Sequence, residues 1–418
     1  MLKIFVINMK QRNIFGTFKV AGTYNSCLLA FTFVAMAFGS MVARAADLNE
    51  IAYQILTKSP QYQSEVYSLE SAATSLKTES NLPDPELSGE YLVMPTDVDN
   101  RWTVQLEWGM DWPGVYKARA EEAKSKLSVA EKEMLAKRAE RLMEIKDLLL
   151  SYIGTRQKMI LLDELSQNND TIFHLAESSA RDGEMTILDL NKVKLEYANI
   201  RVARAALLDE EGEIYVKLSQ IYGSDCLPLL QMLDCRFPDI IIPSQEEVAM
   251  LKEIAPQVES ARAEAERARR GKNVAKMEAL PSLSLGYKHA FEDGMHFNGV
   301  VAGVSLPIFS SRGKQKAAKA EILEAEFNAE ASSLEIETEA QASLKRLEGL
   351  VAQINEIAPI LENSDYNSAL LKAYRGKVLT LIEYISDRNY FTTAAIELVN
   401  LRIAAAKELT YLRRYLVP

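Results

Sequence analysis

Histidine and cysteine, which supply many catalytic groups and metal ligands, are scarce in this sequence of 418 residues. It contains three histidines and three cysteines, and no phosphate-binding loop, nucleophile elbow or zinc-protease motif is present in it. No histidine lies near Cys226 or Cys235, which argues against a metal site at these two positions. The sequence therefore predicts a protein that is not an enzyme, with no cofactor and no metal site.

Proline and glycine are also scarce, with 13 and 18 residues respectively. Long, uninterrupted helices are therefore feasible, because these are the two residues that most often end a helix. Nearly half of the residues are hydrophobic, which excludes a disordered protein. The length would accommodate two or three ordinary domains.

A secretory signal peptide is predicted over residues 1–45. Basic residues precede an apolar run at Cys27–Phe38, and small residues at Ala43–Ala45 favour cleavage before Ala46. The apolar run is short for a membrane span, and an uncleaved anchor is the alternative. Cys27 begins the apolar run instead of following it, so we do not expect a lipid anchor at this cysteine.

The remainder of the chain is acidic. Residues 1–45 hold five of the 48 basic residues and no acidic residue, which leaves 43 Lys and Arg against 58 Asp and Glu, a net charge of −15. Such a charge disfavours nucleic acid as a partner. It is compatible with cationic cargo, although ordinary solvated helix surfaces explain it equally simply.

Two cysteines remain after the predicted cleavage, and an exported chain meets an oxidising compartment. A Cys226–Cys235 disulfide would close a short loop that contains Pro228. The sequence leaves the bridge and two free thiols equally open.

The chain after residue 46 contains the same pattern twice. Four pairs of similar segments occur in the same order at offsets close to 196 residues, which predicts two copies of one domain-sized unit. The predicted boundaries are 46–222 for the first repeat, 223–244 for a linker and 245–418 for the second repeat. The matched pairs are Pro60–Ser64 with Pro256–Ser260, Pro85–Tyr91 with Pro281–Tyr287, Gly114–Ala123 with Gly313–Ile322, and Asp182–Leu190 with Arg375–Tyr384, the last with one inserted residue.

Each repeat is predicted to hold a first helical stretch, a β-hairpin (86–110 and 282–306) and a hairpin of two long helices (114–222 and 313–416). The joins PTDVDN and AFEDGMHF contain turn-forming residues and are predicted as polar loops between the strands. In the first repeat the segments are Asp47–Glu79, Glu86–Met94, Arg101–Met110, Gly114–Asp182 and a return helix to Tyr222. In the second repeat they are Gln245–Ala279, Ser282–His289, Asn298–Leu306, Gly313–Arg375 and a return helix to Tyr415.

Apolar residues at intervals of three, four and seven follow the long helices, as in a coiled-coil seam. The two seams are Ile145, Leu149, Tyr152, Met159 and Leu162, and Leu344, Leu347, Val351, Ile354 and Leu361. Pro359 should bend the second long helix or remove one of its hydrogen bonds. Each long helix is predicted to end at a glycine, Gly183 or Gly376, which permits the chain to reverse.

The second strand is amphipathic. Trp102, Val104, Leu106 and Trp108 alternate with polar residues and glycine, so the strand suits either a soluble sheet over a core or a membrane strand between lipid and water. About nine residues are enough for a tilted strand to cross the hydrocarbon layer, and Trp102 and Trp108 would lie at the two interfaces.

Four strands per chain cannot close a barrel, and open strand edges are not tolerated in lipid. Three chains would supply 12 strands, enough for a pore, whereas two would supply eight, a barrel that side chains fill. The pattern thus favours a trimer. The alternative is a soluble helical protein in which two small hairpins cover a core.

The order of these features resembles the TolC-like outer membrane efflux proteins. The resemblance rests on the signal peptide, the duplicated hairpin and long-helix unit, the DWPG segment at Asp111–Gly114, and the tip glycines followed by Thr-x-x-acid. The LPDPELS and WPG phrases most resemble the heavy-metal efflux branch. The implied fold is mainly α with a small β part. Three chains would assemble into a 12-stranded outer membrane barrel on a periplasmic helical tunnel.

The resemblance also implies a function and partners. The protein would be the exit duct of a tripartite efflux pump in a Gram-negative outer membrane, carrying small solutes such as heavy-metal cations or drugs to the exterior. Its partners would be two further copies, a periplasmic adaptor (membrane fusion) protein, an inner-membrane pump of the resistance-nodulation-division type and outer membrane lipid. Alternatives are the channel of a type I protein secretion system and a periplasmic coiled-coil scaffold without a pore.

By resemblance, the helical tips carry the entrance gate and the adaptor-docking surface. The positions that match the family pattern are Gly183, Thr186, Asp189, Gly376, Thr380 and Glu383, and the basic residues Arg181, Arg375 and Lys377 lie close to them in the sequence. A simpler interpretation of the two threonines is that each caps a helix, with Asp189 or Glu383 as its partner three residues later. Both roles are compatible, because a capped tip remains a surface that a partner can bind.

One tip position departs from the family pattern. The family has a basic residue two places after the second glycine, and this chain has Val378 there. Arg181, Arg375 or Lys377 could take its place. We therefore hypothesise that Asp189 and Glu383 pair with these basic residues across hairpins and keep the resting entrance closed.

The sequence positions of the three histidines do not predict a metal site. His174 falls on a predicted helix. His289 and His296 lie close to or within the predicted AFEDGMHF loop, with Asp293 and Met295 nearby. A metal site is conceivable there, but a solvated loop is the simpler interpretation.

Overall fold

The structure, a computed structural model, describes residues 47–95, 100–166, 169–309, 312–362 and 365–415. The predicted signal peptide lies outside these ranges. Within them, no helix combines the length and the apolar character required to cross a membrane.

The same order of elements occurs in both halves of the chain. The first half contains α1 (Leu48–Lys58), α2 (Pro60–Thr78), β1 (Glu86–Leu92), β2 (Arg101–Met110), α3 (Pro113–Ser166), α4 (Asn169–Arg181) and α5 (Ile187–Tyr222). A short helix, α6 (Leu227–Met232), follows. The second half contains α7 (Gln245–Ile254), α8 (Pro256–Met277), β3 (Ser282–Glu292), β4 (Met295–Ser305), α9 (Lys314–Glu362), α10 (Tyr366–Arg375) and α11 (Leu381–Leu412).

The first helical stretch of each half is divided in two, where the sequence had predicted one continuous stretch. Ser59 and Ala255 adopt extended backbone angles, with ψ of 122° at both positions. Each of these residues precedes a proline, whose ring disfavours the helical conformation of the residue before it. Pro60 and Pro256 then begin α2 and α8, because the first position of a helix needs no N–H donor.

Each predicted long helical segment is divided into two helices, because α3 and α4 take the place of Gly114–Asp182, and α9 and α10 that of Gly313–Arg375. Helix α3 has 54 residues and is therefore about 81 Å long. Pro359 lies inside α9, which continues past it to Glu362. Because proline has no N–H, one hydrogen bond of α9 is missing at this position.

The predicted coiled-coil seams form the core. All five seam residues of α3 are buried, and Leu344, Leu347 and Leu361 of α9 are also buried. In the first half, Ile145, Leu149 and Ile153 of α3 pack with residues of α1 and α5. In the second half, the core joins α7, α9 and α11. The apolar spacing thus predicted correctly which helix faces are buried.

Ile403 of α11 packs directly against Gly154 of α3. A Cβ atom added to this glycine would overlap the side chain of Ile403. The absence of a side chain at residue 154 therefore permits the short distance between these two helices.

The four strands form one antiparallel sheet in the order β1-β2-β3-β4. The prediction of a polar loop at AFEDGMHF is wrong, because β3 continues to Glu292 and β4 begins at Met295. Asp293 and Gly294 alone connect them, with φ of 50° and 77°. An Asp-Gly pair with two positive φ angles is typical of a tight hairpin turn whose twist matches the strands.

Candidate functional site: an amphipathic sheet and two helical tips

The strand register separates the sheet into an apolar and a polar face. Alternate residues of each strand point to the same side, and the pairing aligns these residues across all four strands. The apolar face carries Leu87, Tyr91, Trp102, Val104, Leu106, Trp108, Leu283, Leu285, Tyr287, Phe291, Val300 and Val304.

Neither face of the sheet is covered. No residue of the four strands is buried, and the side chains of Leu87 and Val300 on the apolar face are 71% and 77% exposed. Soluble proteins rarely expose a continuous apolar surface that spans several strands unless the surface binds another apolar phase. In the described part of the chain, the sheet therefore covers no apolar core.

The two predicted interface tryptophans lie towards opposite ends of this face. Trp102 is opposite Phe291, close to the Asp293–Gly294 turn, whereas Trp108 is opposite Leu285 at the helical end. Six residues of strand place them about 20 Å apart. The Trp108 Nε1–H also donates a hydrogen bond to the carbonyl of Pro83 at 2.8 Å, which fixes the indole beside the chain leading into β1.

The polar face carries charge. Glu86 and Glu107 lie opposite each other on β1 and β2, and Gln105 donates a hydrogen bond of 2.8 Å to Glu107. Near the turn, Arg101 pairs with Glu292 at 2.7 Å. Like charges on facing strands repel unless water screens them, so this face is suited to water.

A network of charges joins the sheet to the helices. Arg119 of α3 contacts Asp111 at 2.9 Å and Glu278 at 3.0 Å, and Lys314 of α9 contacts Glu278 at 3.1 Å. Burial alone would raise the pKa of Glu278, but the hydrogen bonds from Arg119 and Lys314 outweigh it and lower that pKa. Glu278 therefore stays charged and holds α3 and α9 together where the sheet begins.

The first helical tip turns at Gly183, as predicted. This residue has φ of 76°, and the amide of Glu184 donates a hydrogen bond of 2.8 Å to the carbonyl of Ser179. A left-handed glycine followed by this backward hydrogen bond ends a helix in the Schellman manner.

The second tip turns at Lys377 and not at the predicted Gly376. Lys377 has φ of 57°, whereas Gly376 has φ of −75°. The amide of Val378 donates to the carbonyl of Ala373 at 2.9 Å, the counterpart of the bond at Glu184. Gly183 thus corresponds to Lys377 without any inserted residue, and the sequence alignment with one insertion was misplaced by one position.

Both threonines cap the helices that follow the tips. Thr186 Oγ1 accepts a hydrogen bond from the Asp189 amide at 3.1 Å, and Thr380 Oγ1 accepts one from the Glu383 amide at 3.3 Å. Glu383 in turn accepts from the Thr380 amide at 2.8 Å, which completes a capping box. Hydrogen bonds lower the pKa of both carboxyl groups, mainly from the Thr186 side chain at Asp189 and from the Thr380 amide at Glu383.

The two tips lie side by side and line one cavity of about 620 Å³. Among the predicted tip residues, this cavity is lined by Thr186, Asp189, Arg375, Lys377 and Thr380. An apolar cluster beneath joins Ala176 and Val193 of the first tip to Leu381, Tyr384 and Ile385 of the second.

The predicted gating pairs do not occur within a single chain. Asp189 contacts Lys192 at 3.1 Å, and Arg181 contacts Glu177 at 4.0 Å. In the described part of one protomer, neither Asp189 nor Glu383 forms an ion pair with Arg181, Arg375 or Lys377. Pairing of these groups between copies of the chain stays a prediction.

Sequence reasoning missed Glu184, Met185 and Tyr374, which also line the tip cavity. The Tyr374 ring stacks on Tyr384 at 5.2 Å between ring centres, a contact between the two helices of the second tip. An alignment without the inserted residue would have placed Lys377 opposite Gly183. No local sequence pattern predicts that the two tips lie close to each other.

Cys226 and Cys235 are free thiols, so the disulfide that the sequence left open is not formed. The Cys226 sulfur lies 3.2 Å from Ser219 Oγ, whereas the Cys235 sulfur faces the carbonyl of Leu233. Burial raises the pKa of both thiols, which keeps them protonated and unreactive. The described residues contain no group of three or more His, Cys, Asp or Glu side chains placed to hold a metal ion.

Comparison with known proteins shows similarity at the level of the fold. No protein-family model and no curated protein matches the chain. A membrane protein from Pseudomonas aeruginosa matches with a TM-score of 0.73 at 18% identity, over 88% of this chain and 93% of that one. The outer membrane protein VceC from Vibrio cholerae matches with a TM-score of 0.69 at 17% identity, over 88% and 95%.

A third solved structure, the Campylobacter jejuni CmeC outer membrane channel, matches with a TM-score of 0.68 at 15% identity, over 88% of this chain and 85% of that one. The chain therefore has the fold of the TolC-like outer membrane channels, a mainly helical fold with one small antiparallel sheet. Two further matches, OprN and the MtrE of Neisseria gonorrhoeae, are outer membrane channels like CmeC.

Proposed function

We propose that this protein is an outer membrane channel that forms the exit duct of a tripartite efflux pump. The observation that carries the proposal is the uncovered amphipathic sheet. Its apolar face is more than half exposed at Leu87, Leu285 and Val300, whereas its opposite face carries Glu86, Glu107 and other polar groups. A membrane strand needs these two faces, since one contacts lipid and the other water.

The open edges of the sheet support assembly of several chains. In the described chain, β1 pairs only with β2 and β4 pairs only with β3. Unpaired backbone groups cost several kcal/mol each in lipid, so β4 of one copy should pair with β1 of the next. Three copies supply 12 strands around a pore. In this assembly Trp102 and Trp108 lie at the two membrane interfaces.

The helical tips then lie at the far end of the periplasmic tunnel. We assign the entrance gate to the predicted tip residues that line the cavity, together with Arg181, Gly183, Gly376 and Glu383. Exposed Val378, Ile187 and Leu188 add an apolar surface that a periplasmic adaptor protein can bind. The inner-membrane pump of the resistance-nodulation-division type supplies the energy, and the cargo is small solutes, either heavy-metal cations or drugs.

Ion conductance tests the channel directly. The protein purified from outer membranes should be a detergent-soluble trimer that conducts ions across planar lipid bilayers. A water-soluble monomer without conductance would contradict the proposal and favour a periplasmic scaffold. Secretion of a toxin or protease that fails on deletion of the gene, with metal and drug sensitivity unchanged, would indicate a type I secretion channel instead.

A charge-neutral variant tests the gate separately. Asp189→Asn with Glu383→Gln removes both charges and retains oxygen atoms that can accept the capping hydrogen bonds. We expect a larger conductance or a longer open time, because ion pairs between copies would be lost. Glu337→Gln, on α9 and away from the tips, serves as the control. Conductance equal to the wild type would refute the gating pairs and leave the channel itself intact.

A further inference from the structure

Four aromatic rings form a cluster on the apolar face, near the Asp293–Gly294 turn. They belong to Trp102, His289, Phe291 and His296, with ring centres between 5.0 and 6.3 Å apart. The two histidines lie on neighbouring strands, because Phe291 is opposite His296 and His289 is opposite Asn298. The longer hairpin creates this arrangement, which the predicted polar loop would not have allowed.

A neighbouring side chain fixes the proton of one histidine. Nδ1 of His289 lies 2.6 Å from Oδ1 of Asn298, and the hydroxyl of Tyr287 donates to the same oxygen at 2.7 Å. An amide oxygen only accepts hydrogen bonds, and with this oxygen as the partner His289 donates from Nδ1. The neutral ring then has its lone pair on Nε2, the form in which a histidine binds a metal while a second group holds its other nitrogen.

The spacing of the two imidazoles suits a shared ion. Their ring centres are 5.3 Å apart and their planes are inclined by 17°. Two imidazoles bound to one tetrahedral ion at about 2.1 Å each have ring centres on the order of 5 Å apart. His296 is exposed, so rotation about its Cβ–Cγ bond can turn a ring nitrogen towards Nε2 of His289.

The nearby carboxylates do not add a third ligand to the two histidines. Glu292 contacts Arg101 at 2.7 Å and Asp293 lies 4.0 Å from the same guanidinium. Glu292 also follows Phe291 in β3 and so points to the opposite face of the sheet. The site therefore has two protein ligands, and because it lies beside Trp102, at the level of the proposed membrane interface, water occupies the other positions.

We propose that His289 and His296 form an exchangeable binding site for a divalent transition-metal ion, with Asn298 as a positioning residue. Imidazole ligands favour Cu²⁺, Zn²⁺ and Ni²⁺ over Mg²⁺ and Ca²⁺, and Cu²⁺ binds most tightly in the usual order. The open coordination positions permit rapid release. This site depends on the hairpin alone and not on the efflux function.

Electron paramagnetic resonance with Cu²⁺ tests the site, using the full protein purified in detergent with a histidine-free tag. We expect one ion per chain, with splitting from two imidazole nitrogens. His289→Ala and His296→Ala should each weaken binding by more than tenfold, because loss of a second-shell partner alone typically costs about 10–100-fold. Asn298→Ala should weaken binding by at least about tenfold, because His289 would lose the hydrogen-bond partner that orients its ring.

The third histidine is the matched control. His174 lies on α4, and His174→Ala should leave the spectrum and the affinity unchanged. Circular dichroism of each variant establishes that the hairpin variants still fold. Cu²⁺ binding that is unchanged in the His289→Ala variant and in the His296→Ala variant would overturn the proposal. Loss of binding in His174→Ala would also overturn it. A spectrum with a single imidazole nitrogen would also overturn it.

Discussion

At the scale of single residues, one left-handed residue closes each helical tip. Gly183 adopts this conformation at no steric cost, whereas Lys377 adopts it with a side chain attached, at φ of 57° and a cost of about 1–2 kcal/mol. The second tip therefore holds a strained lysine on the lining of the tip cavity. Backbone strain of this kind tends to persist where the surrounding structure or a function requires it.

The two tip glycines should respond differently to alanine. Gly183→Ala forces a side chain into the left-handed region and should destabilise the first tip by about 1–2 kcal/mol. Gly376→Ala is the matched control and should have a smaller effect, since its φ of −75° is ordinary for alanine. Amide hydrogen exchange at residues 176–190 should accelerate by roughly 5- to 30-fold in the first variant. Equal effects of both substitutions would contradict the assignment of the left-handed residues.

The capping carboxylates make the tips sensitive to acid. Because the pKa values of Asp189 and Glu383 are lowered in the folded protein, their contribution to stability is present at neutral pH and is lost as the pH falls through these values. Protection factors at the start of α5 and α11 should therefore decrease below about pH 4. Asp189→Asn with Glu383→Gln should abolish this decrease, and an unchanged pH profile in that variant would disprove the explanation.

At the scale of elements, the close approach of α3 and α11 depends on Gly154. Gly154→Ala places a methyl group where the Ile403 side chain lies and should lower the free energy of unfolding by about 1–3 kcal/mol. Gly349→Ala is the control, because nothing lies within 4 Å of its added atom, and it should stabilise α9 by about 0.5–1 kcal/mol.

A double variant isolates the contact between these helices. Combined with Ile403→Ala, the substitution at Gly154 should cost less than the sum of the two single changes, with a coupling of about 0.5–3 kcal/mol. Thermal unfolding followed by circular dichroism provides the measurement. Additive effects would show that the two residues do not limit how closely α3 and α11 pack.

The sequence predicted the elements better than their ends and contacts. Apolar residues spaced by three and four identified the buried faces of α3 and α9, since this spacing is local and follows from helix geometry. The Asp293–Gly294 turn was missed, although an Asp-Gly pair is a strong hairpin signal. The approach of the tips and the contact at Gly154 could not be predicted, because both join residues that are distant in sequence.

At the scale of the whole molecule, we propose that further copies of the chain complete the sheet. The described helices bury their apolar seams against each other. The helices therefore bury their own apolar surfaces within one chain. Among the described residues, nothing covers the apolar face of the sheet and no further strand pairs with its two edges. In the proposed assembly, the sheet has lipid on one face, water on the other and a neighbouring strand at each edge.

Spin labelling along β2 tests this account most directly. Single cysteines replace Thr103, Val104, Gln105, Leu106 and Glu107 in turn, in a background with alanine at Cys27, Cys226 and Cys235. The labelled protein is reconstituted into bilayers. We expect labels at 104 and 106 to be accessible to oxygen dissolved in lipid, and labels at 103, 105 and 107 to a water-soluble nickel reagent. Equal access of the nickel reagent to all five positions would contradict a membrane sheet and show that the apolar face does not contact lipid.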